Sequence, residues 1–182
     1  DIERDFQPIA LVTRGQMLLA VSPKLPVRSV QELVALAKAK LGTLVYASSS
    51  AGSPGHVGGE LFKFMTGADI AHVPYRGGST AITDLMSGQV HMMLESLSSI
   101  APFAQSGDVR ALAVSGPRRS PAFPNLPTID EAGVPGFEDT TWNGVIGPAG
   151  MPRSVVDKLN AAINRAIHTP TFGERLGALG QE

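Results

Sequence analysis

The stretch Leu44-Val-Tyr-Ala-Ser-Ser-Ser-Ala-Gly-Ser-Pro-Gly-His-Val-Gly-Gly-Glu-Leu-Phe62 constrains the fold more than any other part of the chain. It reads as a strand, a loop of small residues and a helix. Residues 44–47 are apolar and β-branched or aromatic, as strands are. The 48–52 loop carries no bulky side chain, so its backbone can approach a ligand closely. Ser53 is a strong N-cap, and Pro54 takes the first helical position, where a missing N–H costs nothing. Val57, Leu61, Phe64 and Met65 follow at i, i+4, i+7 and i+8 and predict the buried face of the helix. Hydroxyls and free N–H groups ahead of a helix suit an anion. An ordinary serine-rich βα turn fits the stretch equally well.

The same unit recurs along the chain. Two apolar runs, residues 9–12 and 17–21, suit buried strands or one long bent strand. Ser29 and Glu32 form a capping box for a helix with Val30, Leu33, Val34 and Ala37 inward. Residues 70–74 read as a strand, 79–87 as a helix stopped by Gly88, and 90–94 as a strand leading to a helix that ends at Gly107. Residues 109–114 are the last clear strand of this part. Strands alternating with short helices imply βαβ crossovers, a mainly parallel sheet and a doubly wound α/β lobe. From Gly116 to Pro127 four prolines and no periodicity mark a surface connection. Thr128 and Glu131 form a second capping box on a very short helix. Residues 144–150 read as a strand and turn, and a helix runs from Pro152 to about His168.

Composition narrows the function. Charged residues are 17% of the 182, and the net charge is −1, so no basic nucleic-acid face is indicated. The absence of cysteine excludes a thiol nucleophile and cysteine-held metal. No apolar run is long enough for a membrane span, and the opening Asp-Ile-Glu-Arg-Asp is no signal peptide. Its polar start just ahead of a strand reads as a chain cut from something longer. Apolar segments before and after the α/β lobe, with too few strands to cover them, point to an incomplete second lobe and a hinged clamp.

Several ordered blocks resemble the solute-binding proteins of tripartite tricarboxylate transporters, the TctC or Bug type. They are Tyr46 to Phe62, Ala71-His-Val-Pro-Tyr-Arg-Gly77, Leu85 to Ser96, Arg110-Ala-Leu-Ala-Val114, Pro127-Thr-Ile-Asp-Glu-Ala-Gly133 and Pro148-Ala-Gly-Met-Pro152. Two local departures stand out: Ser49-Ser50-Ala51 replaces a run that is usually richer in glycine, and Gly55 stands where a polar residue is common. The resemblance implies a type II periplasmic-binding-protein fold: a two-lobed clamp with one complete lobe and one incomplete. Residues 1–16 would be a strand of lobe 1 and hinge, 17–115 lobe 2, and 116–182 the crossover and C-terminal part of lobe 1. It also implies a signal peptide, an N-terminal half-lobe and a C-terminal tail that lie outside this sequence, and a periplasmic location.

In an open parallel sheet, ligands sit at the carboxyl ends of strands. Three loops fall there and supply the expected ligand-binding residues: Ser48, Ser49, Ser50, Gly52, Ser53 and His56, then Arg76 and Gly77, then Glu95 and Ser96. The serine loop offers hydroxyls and N–H groups. Arg76 offers a fork for a carboxylate, and reads equally as a solvated surface arginine. Glu95 would repel a carboxylate but accept from an amine, hydroxyl or bridging water. His56 in a first helical turn is more often structural, and His72 and His91, inside apparent strands, read as core. The partners expected are a small organic acid or amino-acid-like ligand, transporter membrane subunits and, for the truncated chain, copies of itself. No cofactor, metal or catalytic residue is expected. Alternatives are a ligand sensor for a membrane kinase and, further behind, an α/β enzyme, for which no G-x-S-x-G, G-x-x-x-x-G-K-[ST], H-E-x-x-H or G-x-G-x-x-G motif is present.

Overall fold

The computed structural model describes residues 1–178 and 181. In chain order the elements are α1 (Ile2–Asp5), β1 (Phe6–Val21), α2 (Val30–Ala39), β2 (Leu44–Ser48), α3 (Pro54–Thr66), β3 (Ile70–Pro74) and α4 (Gly78–Ser87). They continue with β4 (Met92–Ser96), α5 (Leu97–Ser106), β5 (Arg110–Val114), β6 (Thr140–Pro148), α6 (Arg153–Ile167) and α7 (Pro170–Ala178).

The two apolar runs near the start are one strand of 16 residues. Residues 6–16 of β1 pair antiparallel with β6, and residues 17–21 run between β4 and β5. The β6 ladder shifts register between Pro8 and Ala10. Proline has no N–H for a ladder, so an irregularity beside it is expected.

The main sheet has the order β3-β2-β4-β1-β5. β2 is parallel to β3 and β4, whereas β1 is antiparallel to β4 and β5. Four strands thus share one direction, as an α/β lobe requires, and β1, between β4 and β5, opposes them. The reason is the point of entry. Met17 pairs with Ser96 and Leu18 with Val114, so β1 comes in from the β6 ribbon at the carboxyl ends of its neighbours.

Alternation along β1 splits the core in two. Met17, Leu19 and Val21 join a cluster with Leu33 of α2, Phe62 of α3 and the 129–137 segment. Leu18 and Ala20 join Ile82 and Leu85 of α4 and Ile100 of α5. Both faces are covered, which is why residues 17–21 are apolar without interruption.

The face expected for α3 packs only in part, through Leu61 and Met65. Val57 is 57% and Phe64 87% exposed, and Leu61 and Met65 are half-buried. The buried residues are Gly55, Gly58, Gly59 and Phe62. A Cβ on Gly55 would stand 2.3 Å from the Leu94 carbonyl, and one on Gly59 2.3 Å from the Tyr46 ring. Glycine lets the helix lie directly on the strands. Further along, Thr128 and Glu131 form a reciprocal box, with N–H bonds of 3.0 and 3.1 Å, but it closes a turn and not a helix.

α6 rests on the β1–β6 ribbon through buried Val156 and through the Asn160 amide, which donates to the Ile9 carbonyl at 2.7 Å. Several other apolar residues of this region stay open: Phe6, Leu11, Trp142, Val145, Ile146 and Leu159 are 39–69% exposed. No described helix is long and apolar enough to cross a membrane.

Candidate functional site

Because β2, β3 and β4 run the same way, the loops that follow them meet at one edge of the sheet. The β1–β6 ribbon leaves the sheet at that edge too. Between them lies a cleft of about 280 Å³ lined by Met17, Ser49, Pro54, Gly55, Glu95, Ser96, Ser98, Thr141, Trp142, Asn143 and Gln181. Larger recesses exist, one of about 480 Å³ between α2 and the 132–135 turn and one of about 450 Å³ along Phe6, Leu11 and Ile146. Both are predominantly apolar and lie away from the converging loops.

The serine loop is tied down from within. Ser48 is fully buried, and its hydroxyl bonds the Ser50 carbonyl at 2.9 Å and His72 Nε2 at 2.7 Å. Ser49 faces the cleft. Ser50 is exposed, and its carbonyl also accepts from the Ser53 hydroxyl at 2.7 Å. Gly52 adopts φ of 78°, a left-handed value suited to glycine. Its N–H donates to His56 Nδ1 at 2.9 Å. Ser53 caps α3 as expected, receiving the His56 N–H. His56 therefore reaches back under the loop and not into the cleft. His72, expected to be core, is half-buried and bonds the serine loop. His91 accepts the Val45 N–H through Nδ1 at 3.0 Å, a structural bond.

The second loop contributes backbone more than charge. Arg76 is exposed and does not line the cleft. Gly77 has φ of 151° and precedes α4 without a side-chain cap. Gly78 lies against Glu95, a Cβ there being 3.2 Å from Glu95 Oε2. Glu95 accepts the Ser96 N–H at 2.9 Å, and the Ser96 and Ser98 hydroxyls bond each other at 2.9 Å. Burial raises the Glu95 pKa, and the Ser96 N–H opposes that rise.

Thr141, Trp142 and Asn143 were not anticipated from the sequence. Their signal was the chain's single tryptophan, set in a polar Thr-Thr-Trp-Asn run ahead of an apolar strand. Beneath the cleft, three chain crossings are joined by Ser115. Its hydroxyl accepts the Met17 N–H at 2.8 Å and donates to the Asp139 carbonyl. Its own N–H donates to Met17 and its carbonyl accepts from Asp139, each at 2.9 Å. Asp139 Oδ2 is buried without a partner among the described residues, and burial pushes this carboxyl up to about 6. Among the described residues no three His, Cys, Asp or Glu converge as a metal would need.

Known proteins share this fold. The chain is 41% identical over 179 residues to the UPF0065 protein in the tcbD-tcbE intergenic region of a Pseudomonas species, matching 98% of this chain and 53% of that one. Among solved structures, R. palustris Rpa4515 with adipate superposes with a TM-score of 0.96 at 38% identity, covering 100% of this chain and 61% of that one. MatC from Rhodopseudomonas palustris with bound malate gives 0.89 at 32%, covering 97% and 60%. The chain thus spans little more than half the length of these proteins. The model of the tripartite tricarboxylate transporter family receptor, TctC, matches residues 1–182. With its whole length matched in this way, the chain belongs to the tripartite tricarboxylate transporter receptor family.

Proposed function

We propose that this chain is the larger part of an extracytoplasmic solute-binding protein that captures a small carboxylate between two lobes and delivers it to a tripartite tricarboxylate-type membrane transporter. One observation carries the reading. The serine loop with the start of α3, and the β4–α5 junction, lie at the carboxyl ends of parallel strands and face Thr141–Asn143 of β6 across a cleft rich in neutral hydrogen-bond donors. Such donors hold an anion without chemistry, and closing the clamp removes water that would weaken those bonds. Solved relatives with adipate and with malate support the ligand class.

The lobes divide at the Ser115 crossings. Residues 17–115 form one lobe around the main sheet, and the crossover that follows packs on it through Ile129, Val134 and Phe137. The 1–16 segment, the β1–β6 ribbon and α6 belong to the other. The exposed apolar face of that ribbon is completed by the remainder of the relatives' length, and in the isolated chain it favours self-association. Direct support from the serine loop comes from Ser49 and its backbone, with His56 in a supporting place and Arg76 at the rim.

Isothermal titration of the full-length protein against a panel of organic acids tests the reading. Micromolar or tighter binding of a mono-, di- or tricarboxylate is the expected result. Failure of every acid, or turnover of one of them, sinks it. The sensor alternative shares the clamp and is separated by a pull-down with the transporter membrane subunits.

A further inference from the structure

We propose that Glu95 couples solute capture to proton uptake, so that a carboxylate bound in the cleft shares one proton with the Glu95 carboxyl group. This inference rests on the carboxylate-binding reading above and deepens it by naming the protonation state of the bound pair.

The cleft lining supplies the argument. Its described residues include one ionisable side chain, Glu95, together with hydroxyls, amides, an indole and apolar groups. The acid is held in place: Oε1 takes the Ser96 N–H, and Oε2 stands over Gly78 at the start of α4. Among the described residues it pairs with no base. The charged or titratable groups on the elements packed around it are turned to other work. His56 stacks on His72 and accepts the Gly52 N–H. Asp84 accepts the Tyr75 hydroxyl at 2.6 Å. Arg76 is exposed ahead of α4. Asp139 packs on Gly58 and Met17. Arg14 lies on β1, lining a separate recess with Glu138.

A carboxylate solute entering this cleft meets the half-buried carboxylate of Glu95, and closure of the clamp over the pair removes the water that would screen them. Two like charges sharing a dry site do not both stay ionised, and one takes a proton. Burial has already raised the Glu95 pKa in the open cleft, so a second carboxylate raises it further. The proton comes from solvent, forms one O–H bond between the two carboxyl groups, and returns to solvent on release. Between the free and the bound pKa, affinity falls as pH rises, by up to about tenfold per pH unit. Below the free value and above the bound one, the profile is flat.

Full-length protein titrated with adipate between about pH 6 and about pH 8.5, in buffers of different ionisation enthalpy, tests this. Tighter binding toward the acid end is expected, with proton uptake approaching one per adipate at the steepest point. Glu95→Gln, the uncharged isostere, flattens the profile, abolishes the uptake and binds adipate more tightly than the wild type at the alkaline end. A wild type that binds adipate with a flat profile and no uptake, or more tightly as pH rises, overturns the proposal and leaves the carboxylate reading standing. The buffer dependence of the wild type decides the matter even where the variant does not fold. If adipate, malate and every other acid of the panel fail to bind at every pH, the carboxylate reading itself falls and the proton coupling with it.

Discussion

The imidazole rings of His56 and His72 lie face to face, their centroids 4.0 Å apart and their planes 16° from parallel. His72 stacks in turn on Tyr46 at 4.7 Å, and the Tyr46 hydroxyl donates to Glu60 at 2.7 Å. This column props the serine loop from below at two points, through Gly52 to His56 and through Ser48 to His72.

His56→Ala removes the acceptor of the Gly52 N–H and frees the loop. Adipate affinity of the full-length protein should fall by about 0.5–1.5 kcal/mol, the worth of one ordinary hydrogen bond, with circular dichroism unchanged. The column also has a pH signature. Burial first, and the neighbouring His56 second, hold the His72 pKa below its ordinary value. Between that lowered value and about 6.5 the unfolded chain binds more protons, so stability is full above about pH 6.5 and declines on acidification. Thermal melts across this range should show the loss, and His72→Asn should reduce it.

Ser48→Ala acts on folding before it acts on the ligand. The hydroxyl is fully buried and satisfies both His72 and the Ser50 carbonyl. Its removal takes a hydrogen bond from the half-buried His72 ring, at about 0.5–1.5 kcal/mol of stability by urea denaturation. Arg76 is exposed, so Arg76→Ala should leave the denaturation midpoint where it was. A loss of adipate affinity in that variant reads out any ligand contact made by the arginine.

The strand–loop–helix units were legible because their signals are local. Ser29, Ser53 and the stop glycines announce helix ends through chemistry within four residues. The packing face of α3 was not legible for a related reason: glycine carries no apolar weight, so Gly55, Gly58 and Gly59 vanish from a periodicity count while Val57 and Phe64 dominate it. The direction of β1 depends on which end it enters the sheet from, and that is set by β6, more than a hundred residues away. Trp142 reaches the cleft through the same long-range pairing. Of the candidate site, the three loops could be read from sequence, but the bonds that occupy Ser48 and His56 required knowing that β3 brings His72 beside β2.

Gly59→Ala tests the close approach of α3. In an exposed helix this change gains up to about 1 kcal/mol of propensity. Here the new methyl meets the Tyr46 ring at 2.3 Å, and that ring is fully buried in the core. Overpacking of this kind costs about 1–3 kcal/mol, so the net change should be destabilising. A denaturation midpoint equal to or above the wild type would mean that α3 sits further from the sheet than described.

Asp139 sets the opposite pH trend to His72. Burial raises its carboxyl to about 6 in the folded chain, against about 3.9 unfolded. Between those values the folded state binds more protons, so the contribution is present below about pH 4 and lost as pH rises through about 6. At neutral pH the chain carries a buried charge whose Oδ2 has no partner among the described residues. Asp139→Asn should therefore raise the melting temperature at pH 7.5, and the advantage should vanish near pH 4. An advantage that persists unchanged at low pH would assign the effect to packing and not to charge.

The open face of the β1–β6 ribbon gives the final prediction. Ile146 is 51% and Trp142 69% exposed, beside Phe6 at 45% and Leu11 at 46%. Together they form one apolar surface on a two-stranded ribbon, a patch of the kind that drives association when nothing covers it. The 182-residue chain alone should show a concentration-dependent increase in mass by light scattering. Ile146→Lys places a charge in the middle of the patch and should return the chain to a monomer with its melting temperature little changed. In the full-length protein, where the proposed remainder of the lobe covers this face, the same substitution buries an unpaired charge and should destabilise by several kcal/mol. The two opposite outcomes identify the ribbon as an interior surface of the complete lobe. A monomeric wild-type fragment, together with a neutral effect in the full-length protein, would show that the face is ordinary surface.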